Sequence, residues 1–196
     1  MTYHALRSAG DEPRLLLTLH GTGGTEEQFH AFGQRLLPGA HITSPRGDVS
    51  ESGALRYFKR LSEGRYDMDD LSRATDKLGA FIDDERAQTG ATRISALGYS
   101  NGANILAALS FQRPDLIDDL ILLHPLIPFT PPARDFTGRR VLITAGKTDM
   151  ICPRESTASL AQYYTQCGAD LHLFWHEGGH EISAREGDAV RAFVAG

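Results

Sequence analysis

Six short runs of aliphatic residues punctuate the chain: Leu15 to Leu19, Ile42 to Ser44, Ile94 to Gly98, Leu120 to Leu123, Val141 to Thr144 and Leu171 to Trp175. They are continuous rather than alternating, the pattern of strands covered on both faces. Between them lie stretches with apolar positions three and four apart, as in Leu71, Ala74, Leu78, Phe81 and Ile82, which predict amphipathic helices. Asp67 is placed to cap that helix. Pro153 suits the first position of a later helix, and Gly168 suits its stop after Cys167. The residues through Leu6 read as a further strand, turning at Gly10-Asp-Glu-Pro13 into the first parallel one. Strands alternating with helices imply right-handed crossovers, hence an α/β fold whose mostly parallel, doubly wound sheet carries helices on both faces.

In such sheets ligands bind beyond the carboxyl ends of the strands, so the informative residues follow each apolar run. These are His20-Gly-Thr-Gly-Gly24, Ser44-Pro-Arg-Gly47, Gly98-Tyr-Ser-Asn-Gly102, His124-Pro125, Gly146-Lys-Thr-Asp149 and His176-Glu-Gly-Gly-His180. Hydroxyl, carboxylate and imidazole groups therefore converge on one edge.

Composition narrows the partners. In 196 residues, 20 basic against 25 acidic side chains give a net charge of −5, which offers no footprint for nucleic acid or an anionic membrane. No apolar stretch approaches the roughly 20 residues that span a bilayer, and the start lacks a basic-then-apolar secretory pattern, so no stable membrane insertion is expected. Cys152 and Cys167 are too few for a disulfide framework, which makes a reducing cytoplasm the expected location. Without repeats or a dividing linker, residues 1–196 read as one domain, and a homodimer is left open.

Gly98-Tyr-Ser-Asn-Gly102 fits G-x-S-x-G between a strand and a helical run containing Ile105, Ala108 and Leu109. That context exposes a serine hydroxyl on a sharp turn, whereas the pentapeptide alone also fits an ordinary Gly-rich turn. A serine needs a base, and the base needs an acid to orient it. Asp149 and His180 follow in hydrolase order, each after a strand; Asp118 and Asp119 precede one, Asp135 is a rival acid, and His176 is a rival base. His180 is expected to open the last helix. His176-Glu-Gly-Gly-His180 also matches H-E-x-x-H, the zinc-peptidase pattern, but two central glycines disfavour the helix that pattern needs, by about 2 kcal/mol. The His20–Gly24 turn lacks the Lys-Ser/Thr of a phosphate loop; its glycines free backbone amides for an oxyanion, with Thr22 and Asn101 as the expected donors.

As an ordered set, these motifs resemble the small, lidless α/β-hydrolases of the carboxylesterase and phospholipase-like family, relatives of acyl-protein thioesterases. The resemblance implies an α/β-hydrolase fold without a separate lid domain, a triad of Ser100, Asp149 and His180, and an oxyanion hole from the amides of Thr22 and Asn101. Arg46 and the segment from Glu51 to Asp70, with Arg56, Tyr57, Phe58 and Lys59, look more like the bacterial esterase branch. Thr22 stands where the thioesterases usually carry a bulky apolar residue. The expected activity is hydrolysis of short- to medium-chain acyl or aryl esters without cofactor or metal, on a small-molecule ester. Arg46, Tyr57 and Phe58 are candidate substrate-binding residues, the last two serving equally well as core anchors of their loop. An acyl-protein thioesterase or lysophospholipase-like activity, and a ligand-binding scaffold without catalysis, are the alternatives.

Overall fold

A computed structural model describes residues Thr2 to Gly196. Seven strands form the main sheet: β1 (Ala5–Ser8), β2 (Arg14–Leu19), β3 (His41–Pro45), then, after two small hairpins, β8 (Arg93–Tyr99), β9 (Asp119–Leu123), β10 (Arg140–Gly146) and β11 (Asp170–His176). Their spatial order is β1-β3-β2-β8-β9-β10-β11, parallel throughout except that β1 pairs antiparallel with β3. The turn at Gly10–Pro13 does lead from β1 to β2, but β1 lies against β3 rather than β2. Helices are α1 (His30–Leu36), α2 (Met68–Thr89), α3 (Asn101–Gln112), α4 (Arg154–Gln166) and α5 (Ala184–Ala195). No helix among the described residues is long and apolar enough to cross a membrane.

Cover on both faces explains the continuous apolar runs of β2, β3, β8, β9 and β10, whereas the run in β11, at the sheet edge, is only half-buried or exposed. Leu15, Leu17, Leu19, Ile94, Ala96, Leu120, Leu122, Val141 and Ile143 point to the face packed by α2, α3 and α4. Leu97, Ile121, Leu123 and Leu142 point to the other, beneath Val190 and Phe193 of α5. Each such side chain contributes about 1.5–3 kcal/mol by leaving water.

Asp67 caps α2 by accepting from the Asp70 amide, and Gly90 ends that helix at φ 67°. Pro153 is one position earlier than expected: its extended ψ of 145° makes it the cap, and α4 begins at Arg154. His180 does not open α5. Ser183 caps that helix, in a capping box with Glu186, and His180 stays in the loop before it. The segment between β3 and α2, which has no long apolar run, folds into two hairpins, β4 (Val49–Glu51) with β5 (Ala54–Arg56) and β6 (Arg60–Ser62) with β7 (Arg65–Tyr66).

Between β8 and α3 the backbone reverses at Ser100, with φ 51° and ψ −114°, a conformation that costs a non-glycine residue about 1–3 kcal/mol. The flanking glycines make it possible. A Cβ on Gly98 would lie 2.5 Å from the Gly102 carbonyl, and one on Gly102 would lie 2.6 Å from the His20 oxygen and 2.7 Å from that of Leu19. Backbone atoms cannot swing aside, so Gly102→Ala is expected to lower unfolding free energy in urea by about 1–3 kcal/mol through overpacking. A variant as stable as the parent would show the turn to be slack.

Candidate active site

The turn presents Ser100 at the carboxyl edge of the sheet, where loops after β10 and β11 bring the two partners. Ser100 Oγ lies 2.9 Å from His180 Nε2, and His180 Nδ1 lies 2.8 Å from Asp149 Oδ2. Because Nδ1–H donates to the carboxylate, Nε2 of neutral His180 is bare and accepts from the serine. Asp149 Oδ1 takes the amides of Ile151 and Cys152, both at 2.8 Å. Tyr99 holds His180 from beside: its hydroxyl donates to the His180 carbonyl at 2.8 Å, and the two rings lie 5.5 Å apart. That ring would meet a Cβ on Gly21 at 2.6 Å, so the glycine after His20 lets its loop and Tyr99 pack together.

Around the loop from His20 to Gly24 most amides are occupied. His20 N–H donates to Tyr57 Oη at 3.1 Å, Gly21 N–H to Gln28 Oε1 at 2.9 Å, Gly23 N–H to the Leu55 carbonyl at 2.9 Å and Gly24 N–H to that of Gly21 at 3.0 Å. Among the described residues the Thr22 amide has no partner. The Asn101 amide is likewise free, as the first amide of a helix must be. Both residues border the same cavity as Ser100 and His180.

That cavity measures about 290 Å³. Its walls are Arg56, Arg60, Glu63 and Tyr66 from the hairpins, Asn104 of α3, and Leu126, Ile151 and Cys152 from the loops after β9 and β10. The three expected substrate-binding residues lie elsewhere. Arg46 grips Glu26 through Nε and one terminal nitrogen, both at 2.5 Å, and holds that carboxyl down at about 2. Tyr57 is fully buried and supports the His20–Gly24 loop from behind, donating to the Pro45 carbonyl at 2.8 Å and stacking on His20. Phe58 is also fully buried, against Tyr66. Tyr57 and Phe58, just past the end of β5, both turn into the core, and Arg56 is the residue that reaches the cavity, donating to Thr22 Oγ1 at 2.7 Å.

Behind Asp149 lies a second layer that sequence reasoning missed. His124, after β9, is wholly buried, with Nδ1 2.9 Å from Asp149 Oδ2 and Nε2 3.0 Å from Glu186 Oε1. Thr144 Oγ1 donates to the same Glu186 oxygen at 2.6 Å. Burial works to raise the carboxyls of Asp149 and Glu186, but donors outweigh it: His124, the Cys152 amide and His180 lower Asp149, while His124, Thr144 and the Ser183 amide hold Glu186 at about 2. Burial works to lower His124, and the two carboxylates outweigh it, so it is raised. In the sequence His124 stands only as a strand-end histidine, and nothing singles out Glu186; a histidine among the other strand-end groups is the available signal.

The H-E-x-x-H segment does not form a helix. His176 ends β11 and His180 lies in a loop, and the two fall into different clusters: His124, His176 and Glu186 in one, His124, Asp149 and His180 in the other. His176 Nδ1 accepts from the Gly178 amide at 3.1 Å, and its Nε2 lies 3.3 Å from Glu186 Oε2 and 3.4 Å from His124 Nε2.

No family model matches the chain. It is 41% identical over 185 residues to the Bacillus subtilis protein named “Putative hydrolase MhqD”, covering 93% of this chain and 92% of that protein. Among solved structures, an Agrobacterium tumefaciens protein of unknown function is 50% identical, with a TM-score of 0.96 over 98% of this chain and 96% of that one. The Bacillus cereus carboxylesterase is 31% identical, with a TM-score of 0.94 over 98% of this chain and 93% of that one.

The buried layer carries a stability consequence. Removing Glu186 takes away the buried carboxylate that His124 Nε2 and Thr144 Oγ1 share, and breaking a buried charged contact in this way costs about 3–5 kcal/mol. Glu186→Ala is therefore expected to lower unfolding free energy by that amount at pH 7, measured in urea. The carboxyl is depressed by folding, so its stabilisation is complete above about pH 4.5 and is lost as pH falls toward 2. The variant's deficit should shrink over that window, and a deficit independent of pH would contradict the assignment.

Proposed function

The chain belongs to the carboxylesterase-like α/β-hydrolases, and from that premise we propose that it is a serine esterase acting through Ser100, His180 and Asp149. One observation carries the reading: the hydrogen-bonded series from Ser100 to His180 to Asp149, at 2.9 and 2.8 Å, opens onto a cavity bordered by two unpartnered amides. Ser100 Oγ attacks the ester carbonyl while His180 Nε2 takes its proton. The tetrahedral oxyanion forms where the Thr22 and Asn101 amides point, and the alcohol leaves with the proton from His180. Water, activated by His180, then releases the acid from the acyl-enzyme. Asp149 keeps the imidazole in its Nδ1–H tautomer throughout.

The cavity favours a small substrate. At about 290 Å³ it lies at the lower end of the roughly 300–1,000 Å³ that ligand pockets span, and charged residues of the hairpins occupy one wall. A deep apolar tunnel would gain about 0.8 kcal/mol per buried methylene, and this site has no length in which to collect it. Short acyl or aryl esters, of roughly two to eight carbons, are the proposed class.

Ser100→Ala should fold normally and lose about 10⁴- to 10⁶-fold in kcat, with His180→Ala nearly as damaging. His176→Ala should keep most of the activity and a chelator should change nothing; activity lost to a chelator and restored by zinc would reverse the choice of mechanism. Along a p-nitrophenyl ester series from acetate to palmitate, kcat/KM should be flat or falling beyond about eight carbons. A continuous rise to palmitate would point to a long-chain substrate instead.

A further inference from the structure

His124 makes contacts that a merely space-filling residue would not need. It is one of three non-glycine residues at positive φ among those described, at 51°, and Ser100 is another. Its backbone is locked there: its amide donates to the Thr144 carbonyl at 2.9 Å, and the Cys152 thiol donates to its own carbonyl at 3.3 Å. Its ring spans two carboxylates from separate elements, Asp149 after β10 and Glu186 in the first turn of α5.

The proton inventory of this layer is fixed by its neighbours. Asp149 Oδ2 meets two imidazoles, His180 Nδ1 at 2.8 Å and His124 Nδ1 at 2.9 Å, while Oδ1 is taken by two amides. Glu186 accepts from Thr144 and from the Ser183 amide at 2.6 Å each. His176 Nε2 lies 3.3 Å from the other Glu186 oxygen and 3.4 Å from His124 Nε2. Tyr99 and Cys152, the remaining titratable groups beside the ring, offer an aromatic edge and a thiol that donates to the His124 carbonyl. The shortest contact of each His124 nitrogen is therefore with a carboxylate oxygen, an arrangement that a ring carrying two N–H donors satisfies.

We propose that His124 is a permanently protonated positioning residue of the esterase: its imidazolium ties Asp149 to Glu186, fixes the carboxylate that orients His180, and sets how readily His180 takes a proton. The proposal rests on the serine-esterase reading. Its ring centre lies 5.2 Å from that of His180. Both rings meet the same Asp149 oxygen, so a positive charge on His124 acts on the charge that the His180 ring acquires during catalysis. Glu186 is what keeps that charge in place in a buried setting.

Two measurements test this. In ¹⁵N–¹H spectra of the wild-type protein, assigned through nuclear Overhauser contacts of the buried ring with the Tyr99 and His176 rings, both ring nitrogens of His124 should bear protons from pH 5 to pH 9. This requires no turnover and decides the protonation even where a variant fails to fold. The second is the pH profile of kcat/KM for His124→Asn, since asparagine tolerates positive φ and can still donate to Asp149, and for Glu186→Gln. In both, the acidic limb should move to higher pH by about one unit, the scale of a nearby charge removed. A bare ring nitrogen on His124 at pH 7, or wild-type limbs in both variants, would overturn the proposal. Absence of ester hydrolysis by the wild type would instead fall on the esterase reading, with the ring protons still deciding His124.

Discussion

Asp149 is an anion whose side chain is removed from water, a state that costs several kcal/mol unless its lone pairs find donors. Four donors meet it: His124 from the end of β9, His180 from the loop after β11, and two amides of its own loop. Satisfying the carboxylate thus requires three strand ends to be held in fixed relation. The same set orients the imidazole that faces Ser100, so the burial of one charge and the order of the site are a single constraint.

Neighbouring strands meet this constraint by tying their ends together. The Ser100 amide donates to the Leu123 carbonyl at 2.8 Å, joining β8 to β9, and the His124 amide donates to Thr144, joining β9 to β10. Both residues sit at positive φ, so the two strained positions follow adjacent strands. Strain of this kind persists only where surrounding bonds over-determine it. On the far side, α5 contributes through Glu186, which serves its helix as the N3 residue of a capping box and the site as the partner of His124 Nε2.

The sheet was legible because each central strand is buried on both faces and so reads as a plain aliphatic run. Ser100, Asp149 and His180 were legible because each follows such a run in an order that a serine mechanism demands. His124 and Glu186 were not, since a strand-end histidine and a first-turn glutamate each have an ordinary local explanation, and only the fold shows that they meet. The cavity wall escaped for another reason. Strands of two or three residues, as in the hairpins between β3 and α2, leave no periodicity to read, and a shift of one position exchanges Arg56 for Tyr57. Arg46, expected from the family resemblance to bind substrate, is paired with Glu26, 20 positions earlier in the chain, and does not line the cavity.

The central claim is that Ser100 is a nucleophile activated by this assembly. Treating the intact protein with a fluorophosphonate and locating the adduct by peptide mass spectrometry tests it without choosing a substrate. A single adduct on Ser100, formed rapidly at pH 7 and absent after His180→Ala, is the expected result. No adduct, or one on a residue other than Ser100, would contradict the account.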